Sequence, residues 1–334
     1  MVDNLRIREI FMTKPDEINY PVLIKAPDIS AYQKGNTGID YIHHFNSGNP
    51  GPHVMISAVV HGNELCGAIA LDHLFKNEVR PLRGQLSLAF MNVAAFQSFN
   101  PEQPKDSRFI DEDFNRLWTR EVLDGPRKSL ELERAREVHP YLETVDLLLD
   151  IHSMQTATIP LMMAGTLEKG RSLAHQVQIP EMVVTDWGHN AGRRMRDYEG
   201  FSDPKSSRNA LLIECGQHWQ PDSAELAIAS AWRFLWKTGM ISEEQASPFQ
   251  TVTLPEKQKF IEVSGPYTIQ TDSFRFTETF TGLEVIEKAG TVIGYDGESE
   301  VTTPYDSCVL IMPSLRQTPG ASAFRFGKFI DAKV

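Results

Sequence analysis

Cysteines are scarce in this 334-residue chain, and long apolar runs are missing altogether. The three cysteines, Cys66, Cys215 and Cys308, are odd in number and far apart, which excludes a disulfide framework and favours a reducing compartment. No run of about 18 apolar residues occurs, so the sequence predicts no membrane span. The first 20 residues lack the apolar core of a signal peptide, and we therefore expect a cytoplasmic protein.

Positive charge is also in short supply. Lys and Arg total 33 against 44 Asp and Glu, which gives a formal net charge of −11. Such a chain repels phosphate backbones and anionic membrane surfaces, so we expect neither nucleic acid nor membrane among its partners. An anionic substrate would need positive groups concentrated in one site. The sequence allows two kinds of partner, a small-molecule substrate and further copies of the same chain in a homo-oligomer.

The pattern of apolar runs, helix-like segments and turn signals predicts two domains of different structural class. Up to about residue 245, apolar strand-like runs alternate with helix-like segments, as in 53–60, 85–93, 129–143 and 145–151. This alternation predicts an α/β domain with a mostly parallel mixed sheet flanked by helices. After Ser247 and Pro248, short β-rich pieces lie between turn signals, which predicts a small all-β domain. We expect the domains at residues 1–248 and 249–334.

Three of the strand-like runs end on residues suited to metal-assisted hydrolysis, namely His61, His152 and Glu214. Ligands of parallel α/β sheets bind beyond the carboxyl ends of the strands. Glu64 follows His61 closely enough for one turn to aim both side chains at one ion. Two histidines and a carboxylate form a common catalytic zinc site. An isolated H-x-x-E pattern is more often structural, but its combination with the other two strand ends favours a metal site.

Four short motifs follow one another along the chain: HGNE at His61–Glu64, an acidic segment at Arg108–Arg116 that ends in D-F-N-R, DIHS at Asp150–Ser153, and IECG at Ile213–Gly216. In order and spacing they resemble the motifs of the succinylglutamate desuccinylase and aspartoacylase family, which is similar to the zinc carboxypeptidases. A β-rich tail that narrows access to the zinc is also typical of that family. The resemblance covers most of the chain, and it is specific for the chemistry rather than for the substrate.

The resemblance implies a role for each matched residue. His61, Glu64 and His152 would bind one Zn²⁺ per chain, which activates a water molecule. Glu214 would be the general base that takes the proton of this water and delivers it to the leaving amine. Arg108 would stabilise the oxyanion of the tetrahedral intermediate.

Four further residues are expected to support this chemistry. The resemblance implies that Asn115 and Arg116 hold a substrate carboxylate, because the planar guanidinium matches a carboxylate with two parallel hydrogen bonds. Asp113 shares their loop, and we expect it to orient the loop rather than touch substrate. Side chains alternate along a strand, so Asp150 shares a face with His152 and is predicted to bond its second ring nitrogen.

Other conspicuous residues are not expected to take part in the chemistry. Cys215 adjoins Glu214 but is predicted to be a small buried hydrophobe rather than a nucleophile. Arg193, Arg194 and Arg196 lie in the irregular segment 187–207, and they either line the entrance or form a solvated surface. We expect no metal-binding role for four histidines without motif partners: His43, His44, His53 and His73.

These observations favour a zinc-dependent amidohydrolase that deacylates a small N-acyl amino acid or a related carboxylate-bearing amide. A zinc carboxypeptidase that acts on short peptides is the alternative, since it would use the same residues. A non-catalytic carrier is a third hypothesis, because the spacing of short β-rich pieces and turns in the tail resembles that of biotinyl and lipoyl domains. Those domains attach their cofactor to a lysine, and the comparable stretch Leu310–Pro313 contains none.

Overall fold

The computed structural model describes residues 19–188, 191–314 and 318–331. Most of the amino-terminal stretch, for which we predict no signal peptide, therefore lies outside the described residues. The described residues form two compact units. The larger contains residues 22–156 and 160–259, and the smaller contains residues 19–21, 157–159 and 260–331.

A seven-stranded mixed sheet forms the centre of the larger unit, in the strand order β1-β3-β2-β4-β7-β5-β6. Its strands are β1 (Ile42–Asn46), β2 (His53–Ala58), β3 (Gln85–Phe90), β4 (Leu147–Met154), β5 (Leu161–Met163), β6 (Met182–Thr185) and β7 (Asn209–Gln217). Neighbours run parallel except for the pairs β1–β3 and β5–β7. Every residue of β2 and β7 is buried, as expected for strands covered on both faces.

Helices surround this sheet, and none of those described is long and apolar enough to cross a membrane. The helices are α1 (Leu65–Lys76), α2 (Val93–Gln97), α3 (Arg120–Leu123), α4 (Leu130–Leu142), α5 (Glu168–Val177), α6 (Pro221–Lys237) and α7 (Glu243–Ala246). Helix α4 begins after Ser129, whose hydroxyl accepts the N–H of Leu132 and so caps the helix. Helices α1 and α6 pack against each other.

The smaller unit is built from antiparallel strands. One group follows the order β8-β14-β13-β10 and a second sheet follows the order β12-β11-β9. The strands are β8 (Lys259–Thr268), β9 (Phe274–Phe276), β10 (Val285–Ile286), β11 (Val292–Asp296), β12 (Ser299–Thr302), β13 (Cys308–Ile311) and β14 (Ser322–Ile330). Aromatic and branched side chains fill its core, among them Phe274, Ile293 and Phe324.

The fold class predicted from the sequence is confirmed: a mixed, mostly parallel sheet with flanking helices precedes a small antiparallel β structure. Two strands end at other residues than the apolar runs of the sequence suggest. The run 85–93 is a strand only to Phe90, because Val93 already begins helix α2. Strand β7 continues beyond Ile213 to Gln217, so Glu214 lies inside the strand rather than after it.

Candidate metal centre

Three neighbouring parallel strands bring the predicted residues to one edge of the sheet. Strand β4 lies between β2 and β7, and it carries His152 directly opposite Glu214 of β7. Strand β2 ends at Ala58, shortly before His61. The carboxyl ends of parallel strands lie at the same edge of the sheet. Residues that are far apart in the sequence therefore become neighbours at this edge.

The turn after β2 has an unusual backbone that directs His61 and Glu64. Val59 has a φ of 65°, a left-handed conformation that a β-branched side chain rarely adopts. Such strain persists where the surrounding structure enforces it, often at functional sites. Gly62 allows a close approach of two chain segments, because a Cβ there would lie 2.4 Å from the carbonyl oxygens of Ala95 and Ser107.

The two histidines direct their Nδ1 atoms at the same carboxylate. His61 Nδ1 lies 2.7 Å from Glu64 Oε1, and His152 Nδ1 lies 2.8 Å from Glu64 Oε2. All three side chains are buried, and together they form a group whose ligand atoms lie within 4.8 Å of one another. Two imidazole nitrogens and a carboxylate have therefore converged on one small volume.

The other ring nitrogens face aspartates. His61 Nε2 lies 3.0 Å from Asp113 Oδ1, and His152 Nε2 lies 2.9 Å from Asp150 Oδ2. Ser57 donates a hydrogen bond of 2.7 Å to the second oxygen of Asp150. A carboxylate at Nε2 keeps a proton on that nitrogen and leaves Nδ1 as the atom that can bind a metal.

The electrostatics of the group fit a divalent cation. Burial would raise the pKa of Glu64, but His61 and His152 outweigh this effect and hold it well below its usual value. Burial would likewise lower the pKa of His152, yet Asp150 and Glu64 raise it well above the usual value. A proton on the His152 ring thus compensates the carboxylates beside it, and a bound cation would take over this role. This donor set is the one that catalytic zinc sites use, with a further position open.

Glu214 is a buried carboxylate beside this group. It is only 8% exposed, and its Oε2 atom has no hydrogen-bond partner among the described residues. Burial raises its pKa to about 8, with a further increase from Glu64 and a decrease from His152 and Arg108. A carboxyl group that titrates near neutral pH is suited to proton transfer.

Arg108 lies at the end of a short 3-10 turn, Asp106–Arg108, beside the ligand group. Its Nη2 atom lies 2.9 Å from His61 Nε2 and 3.1 Å from Asp113 Oδ2. Its Nη1 atom lies 3.8 Å from Glu64 Oε1. About a fifth of the side chain is exposed, so the guanidinium can also meet a group that enters from solvent.

Asn115 and Arg116 belong to the next 3-10 turn, Phe114–Arg116, which Asp113 caps by accepting the N–H of Asn115. Arg116 Nη2 lies 3.9 Å from Asp113 Oδ2, so the two arginines flank the same aspartate. The side-chain oxygen of Asn115 accepts the N–H of Met195 at 2.8 Å. This contact fixes the orientation of the amide, whose NH₂ group is the part that can donate to a substrate carboxylate.

For Arg194 and Arg196, both interpretations from the sequence are wrong, since these side chains are 6% and 3% exposed. Arg194 bonds both carboxylate oxygens of Asp186 and also contacts Asp197 at 2.6 Å. Arg196 Nη1 bonds Asp197 at 2.6 Å. The reason is local charge pairing, because buried arginines require carboxylate partners and this segment supplies them. Arg193 alone is exposed.

Cys215 is 1% exposed, and burial raises the pKa of its thiol well above the usual value, so it is a poor nucleophile. The four histidines without motif partners make structural contacts. His53 Nε2 lies 2.8 Å from Ser87 Oγ, and His73 accepts the indole N–H of Trp232 at 3.0 Å. His43 and His44 likewise contact neighbouring groups, Tyr32 and Tyr141.

Two buried residues near the ligands were not selected from the sequence. His218 is fully buried with its Nδ1 atom 2.8 Å from Ser153 Oγ, while its Nε2 atom has no partner among the described residues. Burial lowers the pKa of His218 to about 3, so its ring is neutral. Both polar atoms of the Asn63 side chain also lack partners within the described part of the chain. The available signal was their position, since Asn63 lies within the HGNE motif and His218 lies two residues after the IECG motif.

The region that carries these residues matches a known protein family. A sequence model described as the succinylglutamate desuccinylase/aspartoacylase catalytic domain matches residues 50–249. The chain belongs to this family. The matched region contains all four motifs, so the resemblance found from the motifs is confirmed, and the family is one of hydrolases that remove acyl groups. A search among curated proteins gives no match.

Solved structures share the fold at low sequence identity. Succinylglutamate desuccinylase from Vibrio parahaemolyticus has a TM-score of 0.65 at 15% identity, over 87% of each chain. A succinylglutamate desuccinylase/aspartoacylase from Rhodobacter sphaeroides has a TM-score of 0.61 at 16% identity, over 92% of this chain and 94% of the other. The product-bound ectoine utilization protein EutE (DoeB) from Ruegeria pomeroyi reaches 0.58 at 15% identity, over 91% and 92%.

Proposed function

We propose that this family member is a zinc-dependent amidohydrolase that cleaves the amide bond of a small N-acyl amino acid or a related carboxylate-bearing amide. The observation that carries the proposal is the convergence of His61 and His152 on both oxygens of Glu64, with Asp113 and Asp150 on the opposite ring nitrogens. When bound between these groups, a zinc ion supplies Lewis acidity and a water nucleophile near neutral pH.

Glu214 moves the proton in this proposal. It accepts the proton of the attacking water and delivers it to the nitrogen of the leaving amine. Its burial and its position opposite His152 support this role, as does a pKa of about 8, near the working pH of a general base. A cation bound nearby would favour the ionised form of Glu214, which is the form that accepts the proton.

Arg108 and Arg116 bind negative charge at two different stages of the reaction. Arg108 stands beside the ligands, where it can donate to the oxyanion that develops on the attacked carbonyl group. Arg116 and the NH₂ group of Asn115 offer donors to a carboxylate that is present throughout the reaction. In a chain with a net charge of −11, this local pair of arginines is the kind of site that an anionic substrate requires.

A small-molecule substrate is supported by one of the structural relatives. The Ruegeria pomeroyi protein is described as product-bound and as acting in ectoine utilization. We propose a cytoplasmic location for the reaction, which is supported by the small and odd number of cysteines and by the absence of a disulfide among them. Fractionation of the cells that make the protein would test this location.

The test of the proposed function is a substrate panel assayed with zinc-loaded protein. N-acetyl and N-succinyl amino acids are compared with short peptides, and the Glu214→Gln variant controls for contaminating hydrolases. We expect turnover of at least one N-acyl amino acid and little turnover of peptides. Turnover of peptides alone would support the carboxypeptidase alternative, and turnover of neither class would contradict the proposal. A covalently attached cofactor in the intact mass would instead support the carrier.

A further inference from the structure

Glu131 is a fully buried carboxylate in the first turn of helix α4. Its oxygens accept three consecutive backbone N–H groups, from Ile110 at 2.7 Å, Asp111 at 3.0 Å and Glu112 at 3.3 Å. The side-chain amide of Asn92 donates a fourth hydrogen bond at 3.2 Å. The carboxylate thus binds one peptide segment with both of its oxygens.

These donors explain why a charged group is stable at a fully buried position. A buried carboxylate requires hydrogen bonds or a compensating charge. Glu131 has four donors, and it also lies near the amino terminus of a helix, where the dipole favours negative charge. The contact is reciprocal, because the peptide segment binds the same helix end: Asp111 accepts the N–H of Leu130 at 2.8 Å.

The peptide segment that Glu131 binds lies between two residues of the candidate metal centre. Arg108 precedes it, and Asp113 follows it. Both of these side chains contact His61 Nε2, at 2.9 and 3.0 Å. A shift of the peptide groups at 110–112 would therefore move both groups that contact the ring of His61.

We propose that Glu131 is a positioning residue for the metal centre. By binding the N–H groups of residues 110–112, it fixes Arg108 and Asp113 at their distances from His61. Glu131 makes no contact with substrate in this account and acts through those two residues. The kinetic part of the inference rests on the proposed function, whereas its structural part, the fixed loop and the zinc affinity, stands independently.

The variant Glu131→Gln tests the proposal, because it keeps the shape but turns an NH₂ group toward backbone N–H donors. Changes in residues that orient metal ligands typically cost about 10–100-fold in metal affinity or activity, and we expect losses of this size in kcat and in zinc affinity. Amide hydrogen exchange at residues 110–112 should also become faster. If the Gln variant does not fold, Glu131→Asp replaces it, since this change keeps the charge and shortens the reach, with the same expected losses.

Asp296→Asn is the matched control in the smaller unit. Asp296 is 4% exposed and also accepts two backbone N–H groups, from Gln270 at 2.7 Å and Thr271 at 2.9 Å. Its loss should lower the melting temperature but leave kcat and zinc affinity unchanged. Equal kinetic losses in both variants would mean that the effect of Glu131 is general destabilisation, and the proposal would be overturned.

A double-mutant cycle with Arg108→Ala gives the decisive readout. If Glu131 acts through Arg108 and Asp113, its substitution should cost much less kcat once Arg108 is absent. Additive losses, or a folded variant with wild-type kcat and unchanged hydrogen exchange at 110–112, would overturn the proposal. Should the wild-type protein hydrolyse no amide, the proposed function fails, and hydrogen exchange together with zinc affinity still decides the role of Glu131.

Discussion

The ligand group and the Arg108–Arg116 segment reach the same place by different structural means. His152 and Glu214 lie on paired strands, and His61 follows a third strand of the same sheet. The arginines lie on 3-10 turns, whose position depends on hydrogen bonds from other parts of the chain. Sheet pairing therefore fixes the first group, whereas a few individual side chains fix the second.

This difference has a consequence for function. The candidate ligand group has three members, His61, Glu64 and His152, and loss of any one of them should abolish metal binding. A donor on a turn contributes one interaction among several, so its loss should give a graded effect. Substitutions in the two groups should therefore differ in kind, with complete loss of metal binding for a ligand and a partial loss of activity for a donor.

His152→Ala should abolish both zinc content and hydrolysis, because it removes one of three ligands and the imidazole that contacts both Glu64 Oε2 and Asp150 Oδ2. Zinc per chain is measured by plasma mass spectrometry after dialysis. His53→Ala is the matched control, since His53 is buried at the start of β2, at the opposite end of that strand from His61, and should keep its zinc. Full zinc occupancy in His152→Ala would show that the ligand set is wrong.

Glu214→Gln should retain zinc but lose most turnover, because an amide cannot accept the proton of water. Positioned proton transfer is typically worth about 10²–10⁴-fold, and kcat should fall by that order. Steady-state kinetics at equal zinc occupancy measure the effect. Near-normal kcat would remove Glu214 from the mechanism.

Arg108→Ala and Arg116→Ala should differ in the kinetic constant that they change. Loss of a contact to the oxyanion lowers kcat, by about 10²–10³-fold for one donor, whereas loss of a contact present in the ground state raises KM. Charge-assisted hydrogen bonds contribute roughly 1.5–3 kcal/mol, so KM for Arg116→Ala should rise about 10- to 100-fold. A substrate with an amidated carboxylate is the control, and Arg116→Ala should affect it less. An unchanged KM in Arg116→Ala would contradict the carboxylate assignment.

Glu214 should also make the metal-free protein less stable as the pH rises. Its pKa is raised to about 8 in the folded chain from the ordinary value of 4.5, so between these values the folded state retains a proton that the unfolded chain releases. Stability from this group therefore falls as pH increases from about 4.5 to 8. Glu214→Gln should remove this loss of stability. The variant should therefore melt several degrees higher than the wild-type protein at pH 8, with little difference at pH 4. Equal melting temperatures at pH 8 would contradict the raised pKa.

Cys215→Ala should have the smallest effect, close to wild-type kcat, because the thiol is buried with a raised pKa. The comparison with Glu214→Gln is direct, since the two residues are adjacent in β7. A large loss of kcat without loss of stability would reopen a role for the thiol.

The sequence predicted the group on the strands better than the contacts of the turns. Apolar runs that end on polar residues indicate the carboxyl edge of a parallel sheet, and this edge brings together His61, His152 and Glu214. Alternation along β4 also led to the Asp150 contact. Nothing in the pattern 129–143 indicated that Glu131 faces inward, because an acidic residue in the first helical turn is usually solvated. Arg194 and Arg196 were misinterpreted because burial of an arginine depends on carboxylates that only the folded segment brings close.

We propose that His61 and His152 bind the metal through Nδ1, together with Glu64, while Asp113 and Asp150 contact the Nε2 atoms. An anomalous difference map from a crystal of zinc-loaded protein, recorded at the zinc absorption edge, tests it most directly. We predict one peak per chain, about 2.0–2.1 Å from the Nδ1 atom of each histidine and within bonding distance of the Glu64 carboxylate. A peak at an Nε2 atom, a peak elsewhere in the chain, or no peak at this position would contradict the account.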